Sequence, residues 1–330
     1  MRLLREVGVD PRPEWKDLVL RENYAPIPQL VAATPTMEWH RGFNMVILSR
    51  GVPKHFVKCR PAGDAVLERE STLRMCLAGS RAHGLSVPSA RVASSARIAV
   101  QVGPYLRGVH YGRIVTTQSA AAYLKTLRVI LDGAAELSAL ARERRASALS
   151  PRGRIELLAE ARASLDDAAG LAALEPPLRA ALEGAVRGAG EVPALPQHAD
   201  FWWQNVLYAD GLFWAIDFDQ FGEVQVPLYD DLTMICTTLD LRPPTALLGF
   251  DQLLGDADEA RACRALLAER AAAVGLTAAQ VDGVLVYHLA HLASTVSRRG
   301  GATYAAPNVA AVRHVAELLA SGRRDLLAPA

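Results

Sequence analysis

The chain has 330 residues, 51% of them apolar and 22% charged, a balance expected of two compact globular parts sharing ordinary cores. Its 36 Lys and Arg nearly cancel 35 Asp and Glu, leaving a formal charge of +1, which argues against a chain built to coat nucleic acid or an anionic membrane. Cys59, Cys76, Cys236 and Cys263 show no C-x-x-C spacing, the N-terminus is interrupted by charges, and no apolar run reaches about 18 residues. A cytoplasmic protein with reduced thiols and no membrane span is expected.

Charge is unevenly placed. Only Lys16, Lys54, Lys58 and Lys125 are lysines, so chemistry that needs an amine has few candidates. Residues 1–132 carry a net charge of +9, residues 133–197 carry −1, residues 198–239 carry −7 with no Lys or Arg, and residues 240–330 carry 0.

In chain order, a short helix is expected around Trp15–Glu22, stopped by Pro26 and Pro28. FNMVILS (43–49) and HFVKC (55–59) read as strands joined by a turn over 50–54. A helix over 64–84, with Gly84 as its stop, and two strands near 89–93 and 97–102 follow, before Gly103-Pro104 breaks the pattern. Beyond residue 118 the texture is helical. Leu124, Leu127, Leu131, Ala134, Leu137 and Ala141 form an apolar stripe, and further helices are expected near 153–170 and 177–187. From 240 onward the chain is again helical, with Arg298-Arg299-Gly300-Gly301 expected to separate the last two helices.

The exception is HADFWWQNVLYADGLFWAIDFD, residues 198–219. Val206–Tyr208 and Leu212–Ile216 are two short apolar strands around Asp210-Gly211, a strong tight-turn signal. A hairpin there makes neighbours of Asn205 and Asp217, and two oxygen-bearing side chains about 5 Å apart suit a hard cation. Asp200 lies five residues upstream of Asn205, in the loop entering the hairpin. A carboxylate base beside an Asn/Asp magnesium site provides the parts that phosphoryl transfer needs.

His198-x-Asp200-x-x-x-x-Asn205 followed by Ile216-Asp217-Phe218-Asp219 resembles the catalytic and metal motifs of the aminoglycoside phosphotransferase and choline kinase-like family, relatives of the protein kinases. The resemblance covers roughly residues 35–235. It implies an α+β, bilobal, protein-kinase-like fold with a small β-rich N-terminal lobe and a larger helical C-terminal lobe. It also implies ATP and Mg2+ as cofactors, Asp200 as catalytic base, Asn205 and Asp217 as magnesium ligands, and His198 as support for the loop. In this reading Lys58, in a strand, faces the ATP phosphates and Glu70, on the next helix, holds it. Lys54 and Glu68 are the rival positions. Residues 1–102 are then the nucleotide-binding lobe, 103–108 the linker, and 109–330 the helical lobe with catalytic loop and acceptor site. Backbone groups between Gln101 and Tyr105, Gly103 included, are expected to meet the nucleotide base.

The pattern departs from the family where Ala199 replaces its usual glycine, and where Trp203 and Gln204 replace small residues. Trp202 and Trp203 read either as packing residues or as a wall of the acceptor pocket. The phosphate loop is expected somewhere in 34–44, with Gly42 its single glycine. Asp219 is an auxiliary metal carboxylate or a residue behind one. Asp230 and Asp231 resemble a helix-start pair that braces the catalytic loop, His288 and His291 read as core or cleft packing, and Arg142, Arg144 and Arg145 as a solvated helix face. Residues 133–197 and 240–330 show no surplus of acid, which favours a neutral small-molecule hydroxyl acceptor over a polycation. The alternatives are a kinase of Ser or Thr in a peptide and a catalytically silent binding module.

Overall fold

A computed structural model describes Glu6 and residues 18–21, 43–49, 52–144, 153–167, 174–242 and 249–328. The first part of the chain runs β1 (Leu18–Arg21), β2 (Phe43–Ser49), β3 (Val52–Pro61), α1 (Ala65–Leu77), β4 (Arg81–Ala82), β5 (Leu85–Ser86), β6 (Arg91–Ser94), β7 (Ile98–Pro104) and β8 (Val109–His110). Helices α2 (Tyr111–Val115) and α3 (Ala120–Glu143), strand β9 (Arg154–Glu156), helices α4 (Leu157–Asp167) and α5 (Pro176–Ala189), and strand β10 (Glu191–Pro193) follow. After a 3-10 turn at Trp203–Asn205 come β11 (Val206–Ala209), β12 (Leu212–Ala215), α6 (Tyr229–Leu239), α7 (Gly249–Leu254), α8 (Asp258–Ala273) and α9 (Ala278–Ala320). The fold is mixed α+β, with the strands concentrated in the first third and the long helices beyond it.

The chain divides into two compact units. One comprises Met1–His110, Asp132–Leu149 and Asn205–Phe221, and the other Tyr111–Leu131, Ser150–Gln204 and Gly222–Ala330. The first unit is built on a five-stranded antiparallel sheet in the order β1-β2-β3-β7-β6. One face is apolar: Ile47, Val57, Cys59, Ala93, Val100 and Val102 form a buried cluster, at the two-residue spacing a pleated strand requires. The other face carries a polar row. Asn44, Lys58 and Gln101 are directly opposite one another across β2, β3 and β7, and all three are buried.

Helix α1 starts at Asp64, whose carboxylate accepts the Leu67 N–H at 2.8 Å, and buries Leu67, Glu70, Ser71, Leu73, Arg74 and Leu77. Its buried side thus mixes three leucines with the polar groups that answer the row. A second sheet, β4-β5-β12-β11-β8, includes the β11–β12 hairpin. Asp210 (φ 52°) and Gly211 (φ 78°) both turn left-handed, the geometry that lets a two-residue loop follow the strand twist. A Cβ at Gly133 on α3 would lie 2.4 Å from the Leu85 Cβ, and this close approach seats the last part of α3 on β5.

The second unit is helical. Helix α9 begins with a capping box at Thr277 and Gln280 and passes so near α5 that a Cβ at Gly283 would come within 2.5 Å of the Ala189 Cβ. Tyr123, Leu127, Ile130 and Leu131 on α3 are fully buried, so the apolar stripe is centred slightly off the expected one, with Leu124 and Ala134 half-buried.

Several expected boundaries move. Leu18–Arg21 is a strand paired with β2, because LVLR can satisfy its backbone along an open sheet edge as well as in a helix. Helix α1 ends at Leu77, before Gly79 (φ 76°), and not at Gly84. Strand β3 begins at Val52, opposite Ser49, and not at His55. The stretch expected near 153–170 opens as β9 before α4 begins. Helix α9 runs unbroken through 298–301. Two glycines cost roughly 1 kcal/mol each in a helix, and burial of Ala311, Val312, Val315, Ala316 and Leu319 beyond them outweighs that.

Candidate active site

The polar row converges on Lys58. Its ammonium donates to Glu70 Oε2 at 2.9 Å, Asp217 Oδ1 at 2.6 Å and Asp219 Oδ1 at 2.8 Å. Lys58 and Glu70 are buried, whereas the Asp217 and Asp219 side chains keep 26% and 32% of their surface exposed, so only these two are reachable from solvent. Burial alone would discharge Lys58; the three carboxylates outweigh it and hold the amine protonated well above its usual range. Burial likewise opposes the Glu70 charge, yet Lys58 and Arg74 hold its carboxyl below the ordinary range. Asp219 is raised, first by burial and then by Glu70, against the pull of Lys58. The rivals separate cleanly: Lys54 and Glu68 are exposed.

The hairpin brings these acids to the sheet. Ile216 N–H donates to the Asn205 carbonyl at 3.0 Å, so Asn205 closes the ladder below Val206 and Asp217 is the next residue on the opposite strand. Asp217 adopts φ 62°, a left-handed conformation costing about 1 kcal/mol for a non-glycine residue, and it turns the chain so that both Asp217 and Asp219 meet Lys58. Asn205 itself is buried. Carboxylate oxygens of Glu70, Asp217 and Asp219 lie within 4.8 Å of one another. These three carboxylates form a cluster of hard oxygen donors, two of them open to solvent, which fits a magnesium ion.

Asp200 stands in the other unit, in a loop fixed from below. Asp230, the second residue of α6, accepts the backbone N–H of His198 at 2.6 Å and of Ala199 at 3.0 Å, while its own N–H donates to Gln197 Oε1. Burial pushes the Asp230 carboxyl up to about 7 despite these two donors. Ala199 sits at φ 67°, which explains physically why a glycine suits the position. Asp231 makes an ion pair with Arg270. Trp203 packs against α2: a Cβ at Gly112 would come 2.4 Å from its ring. Trp202 sits beside it at 5.5 Å between ring centres, and its buried indole Nε1 has no partner among the described residues.

Other candidates find plainer places. His288 is buried against Thr233 Oγ1 at 3.0 Å, burial and His291 push it down to about 3, and His291 Nδ1 meets the Tyr229 hydroxyl at 2.8 Å. Arg142 and Arg144 are exposed, as expected of a solvated face, and Arg144 also donates to the Cys76 carbonyl. Arg145 and residues 34–42 of the expected phosphate loop lie outside the described residues. Gln101 is spent inside the sheet, paired on both sides with Lys58 and Val92, and its amide donates to Ser71 Oγ at 2.7 Å. Tyr105 N–H donates to the Lys54 carbonyl at 2.9 Å. Gly103 lies one residue beyond the last β6 pairing, Arg91 with Val102. Behind these acids stand Arg69, which donates to the Asp219 carbonyl, and Arg74, four residues after Glu70 on the same helix face, whose place beside the site nothing in the sequence marks.

Solved structures share this architecture. The chain matches the GDP complex of a variant aminoglycoside 2'-phosphotransferase-IIIa over 94% of its own length and 96% of that chain, with a TM-score of 0.58 and 13% identity. Macrolide 2'-phosphotransferase MphH from Brachybacterium faecium matches over 94% and 96%, with a TM-score of 0.56 and 15% identity. The fold is that of the antibiotic phosphotransferases. The GDP and kanamycin complex of the aminoglycoside phosphotransferase APH(2")-IIia matches over 97% and 99%, with a TM-score of 0.54 and 10% identity. No family model and no curated protein matches the sequence.

Proposed function

We propose that the protein is an ATP- and magnesium-dependent phosphotransferase that moves the γ-phosphate to a hydroxyl of a small molecule: an antibiotic, a sugar, a nucleoside or another natural product. The observation that carries this reading is the ammonium of Lys58, buried and held by Glu70 on one side and by Asp217 and Asp219 on the other. A folding core has no need of such a group, because removing the whole cluster in favour of apolar residues is generally neutral or stabilising. Supporting it are the similar structures, which are complexes with GDP, with GDP and kanamycin, and with AMP-PNP and hygromycin B.

In this reading Lys58 binds the phosphates and Glu70 fixes its ammonium. Asn205 and Asp217 hold magnesium, with Asp219 beside them. When bound, the metal neutralises charge on the phosphates. Asp200 orients the acceptor hydroxyl and takes its proton, on a loop that Asp230 keeps rigid through the His198 and Ala199 amides. In this reading the base-binding edge is the chain from Gly103 onward, since the Gln101 backbone is paired with strands on both sides and the β6 pairing ends at Val102. Lobes at 1–102 and 109–330 with a linker at 103–108 remain the functional division we favour. The near-neutral helical segments favour an uncharged acceptor.

Calorimetry with ATP, in the presence and absence of magnesium, tests the nucleotide half of this reading. Wild-type protein should bind ATP with magnesium, and Asp217→Ala should weaken that binding at least about tenfold, the ~1.4 kcal/mol or more expected from losing one charged ligand. Equal affinity with and without the metal, or in the variant, would contradict the assignment.

A further inference from the structure

Behind Glu70 lies a side chain that the reaction just described leaves unused. Arg74 is buried, with 6% of its surface exposed. Its Nη1 donates to Glu70 Oε1 at 3.3 Å and Gln101 Oε1 at 3.0 Å. Its Nε donates to the Pro88 carbonyl at 3.1 Å, and its Nη2 to the Ser89 carbonyl at 3.2 Å. Four of the five guanidinium N–H groups are thereby committed, to partners on three separate pieces of chain. The same Nη2 lies 2.8 Å from where a Cβ would stand on Gly103, and the Ser89 carbonyl 2.9 Å from it. Residue 103 is therefore pressed against the arginine and the carbonyl it grips, with no room for a side chain.

We propose that Arg74 is a positioning residue of the phosphotransfer site, a rigid spacer that sets two distances at once. Through Glu70 it fixes the ammonium of Lys58, the phosphate end. Through Ser89 and the bare backbone of Gly103 it fixes the strand edge assigned above to the nucleotide base. The inference rests on that assignment of Lys58 and Gly103. The physical case is that a buried charge must be matched on every side, and only a planar fork can meet a carboxylate on one flank and two carbonyls on the other. A lysine supplies the charge to Glu70 but not the span, so the two ends should come apart under substitution.

Basal phosphate release from Mg-ATP, which needs no known acceptor, gives the kinetic readout. Arg74→Lys should keep kcat within about threefold and raise the KM for ATP roughly tenfold, since the charge beside Glu70 remains and the grip on residues 88–89 is lost. Arg74→Met should raise KM similarly and lower kcat at least about tenfold. In a Glu70→Gln background, Arg74→Met should cost little further kcat, because both changes act through the same ammonium, while its effect on KM persists. Additive losses in kcat, or Arg74→Lys kinetics equal to wild type, would overturn the proposal. Amide hydrogen exchange on ligand-free protein is the companion measurement and depends on no activity. Arg74→Met should lose protection jointly around Glu70 and around residues 88–103, and Arg74→Lys around residues 88–103 alone; loss at one end alone in Arg74→Met overturns the coupling. A wild type that neither binds nor hydrolyses ATP refutes the phosphotransferase reading itself, and the exchange result still decides the spacer.

Discussion

An ammonium surrounded by Glu70, Asp217 and Asp219 is stable only as a set, because each carboxylate is tolerated for the charge it faces. Lys58→Met leaves Arg74 as the cation paired with the buried Glu70 and brings three acids together without the ammonium between them. Thermal or urea unfolding should show a loss of about 3–5 kcal/mol, the usual result of breaking a buried pair from one side; an unchanged midpoint would mean the pairs are not formed. Asp230 offers a test with a definite sign. Its native pKa, about 7, stands above the unfolded value of 3.8, so the folded chain binds the extra proton between those limits. Its contribution is full below about pH 4 and is lost as pH rises toward 7. His288 acts oppositely, its contribution being lost as pH falls from 6.5 toward 3. Subtracting the pH profile of Asp230→Asn from that of wild type isolates the first effect, and the difference should decline from pH 4 to 7. A flat difference would mean Asp230 is ionised throughout.

Helix α1 carries Glu70, and its start is set by a single cap. Asp64→Ala removes the acceptor for the Leu67 amide, at a cost of about 1 kcal/mol in unfolding measurements; no cost would mean that other groups start the helix. The hairpin that brings Asp217 to Lys58 was legible because Asp210-Gly211 specifies both left-handed turn residues locally. The spacing of Asp200, Asn205 and Asp217 was legible for the same reason, since one loop and one hairpin contain it. Elements decided by distant partners were not. Strand β1 depends on β2, some 25 residues away, and α9 continues through two glycines because of what its far end buries. The role of Arg74 hides in the same way, its partners being Glu70, Gln101 and the carbonyls at 88 and 89.

Across the whole molecule, a charge of +1 conceals the arrangement that matters. Lys58 and Arg74 come from the basic first part, and Asp217 and Asp219 from the stretch lacking any Lys or Arg, so the two segments with opposite excess meet at one ammonium. Binding a nucleotide there should stabilise the folded chain by mass action, about 2.7 kcal/mol at ~100 times the dissociation constant. Melting temperatures should therefore rise with ATP and magnesium together and much less with either alone. In the function we propose, Asp200 is the base for transfer to a small-molecule hydroxyl. This is tested most directly by incubating wild type and Asp200→Ala with magnesium and γ-labelled ATP against panels of antibiotics, sugars, nucleosides and hydroxyl-bearing peptides. Label should appear on a small-molecule hydroxyl with wild type, and almost none with Asp200→Ala although that variant still binds ATP. Label on peptides alone, no label at all, or undiminished transfer by Asp200→Ala would contradict it.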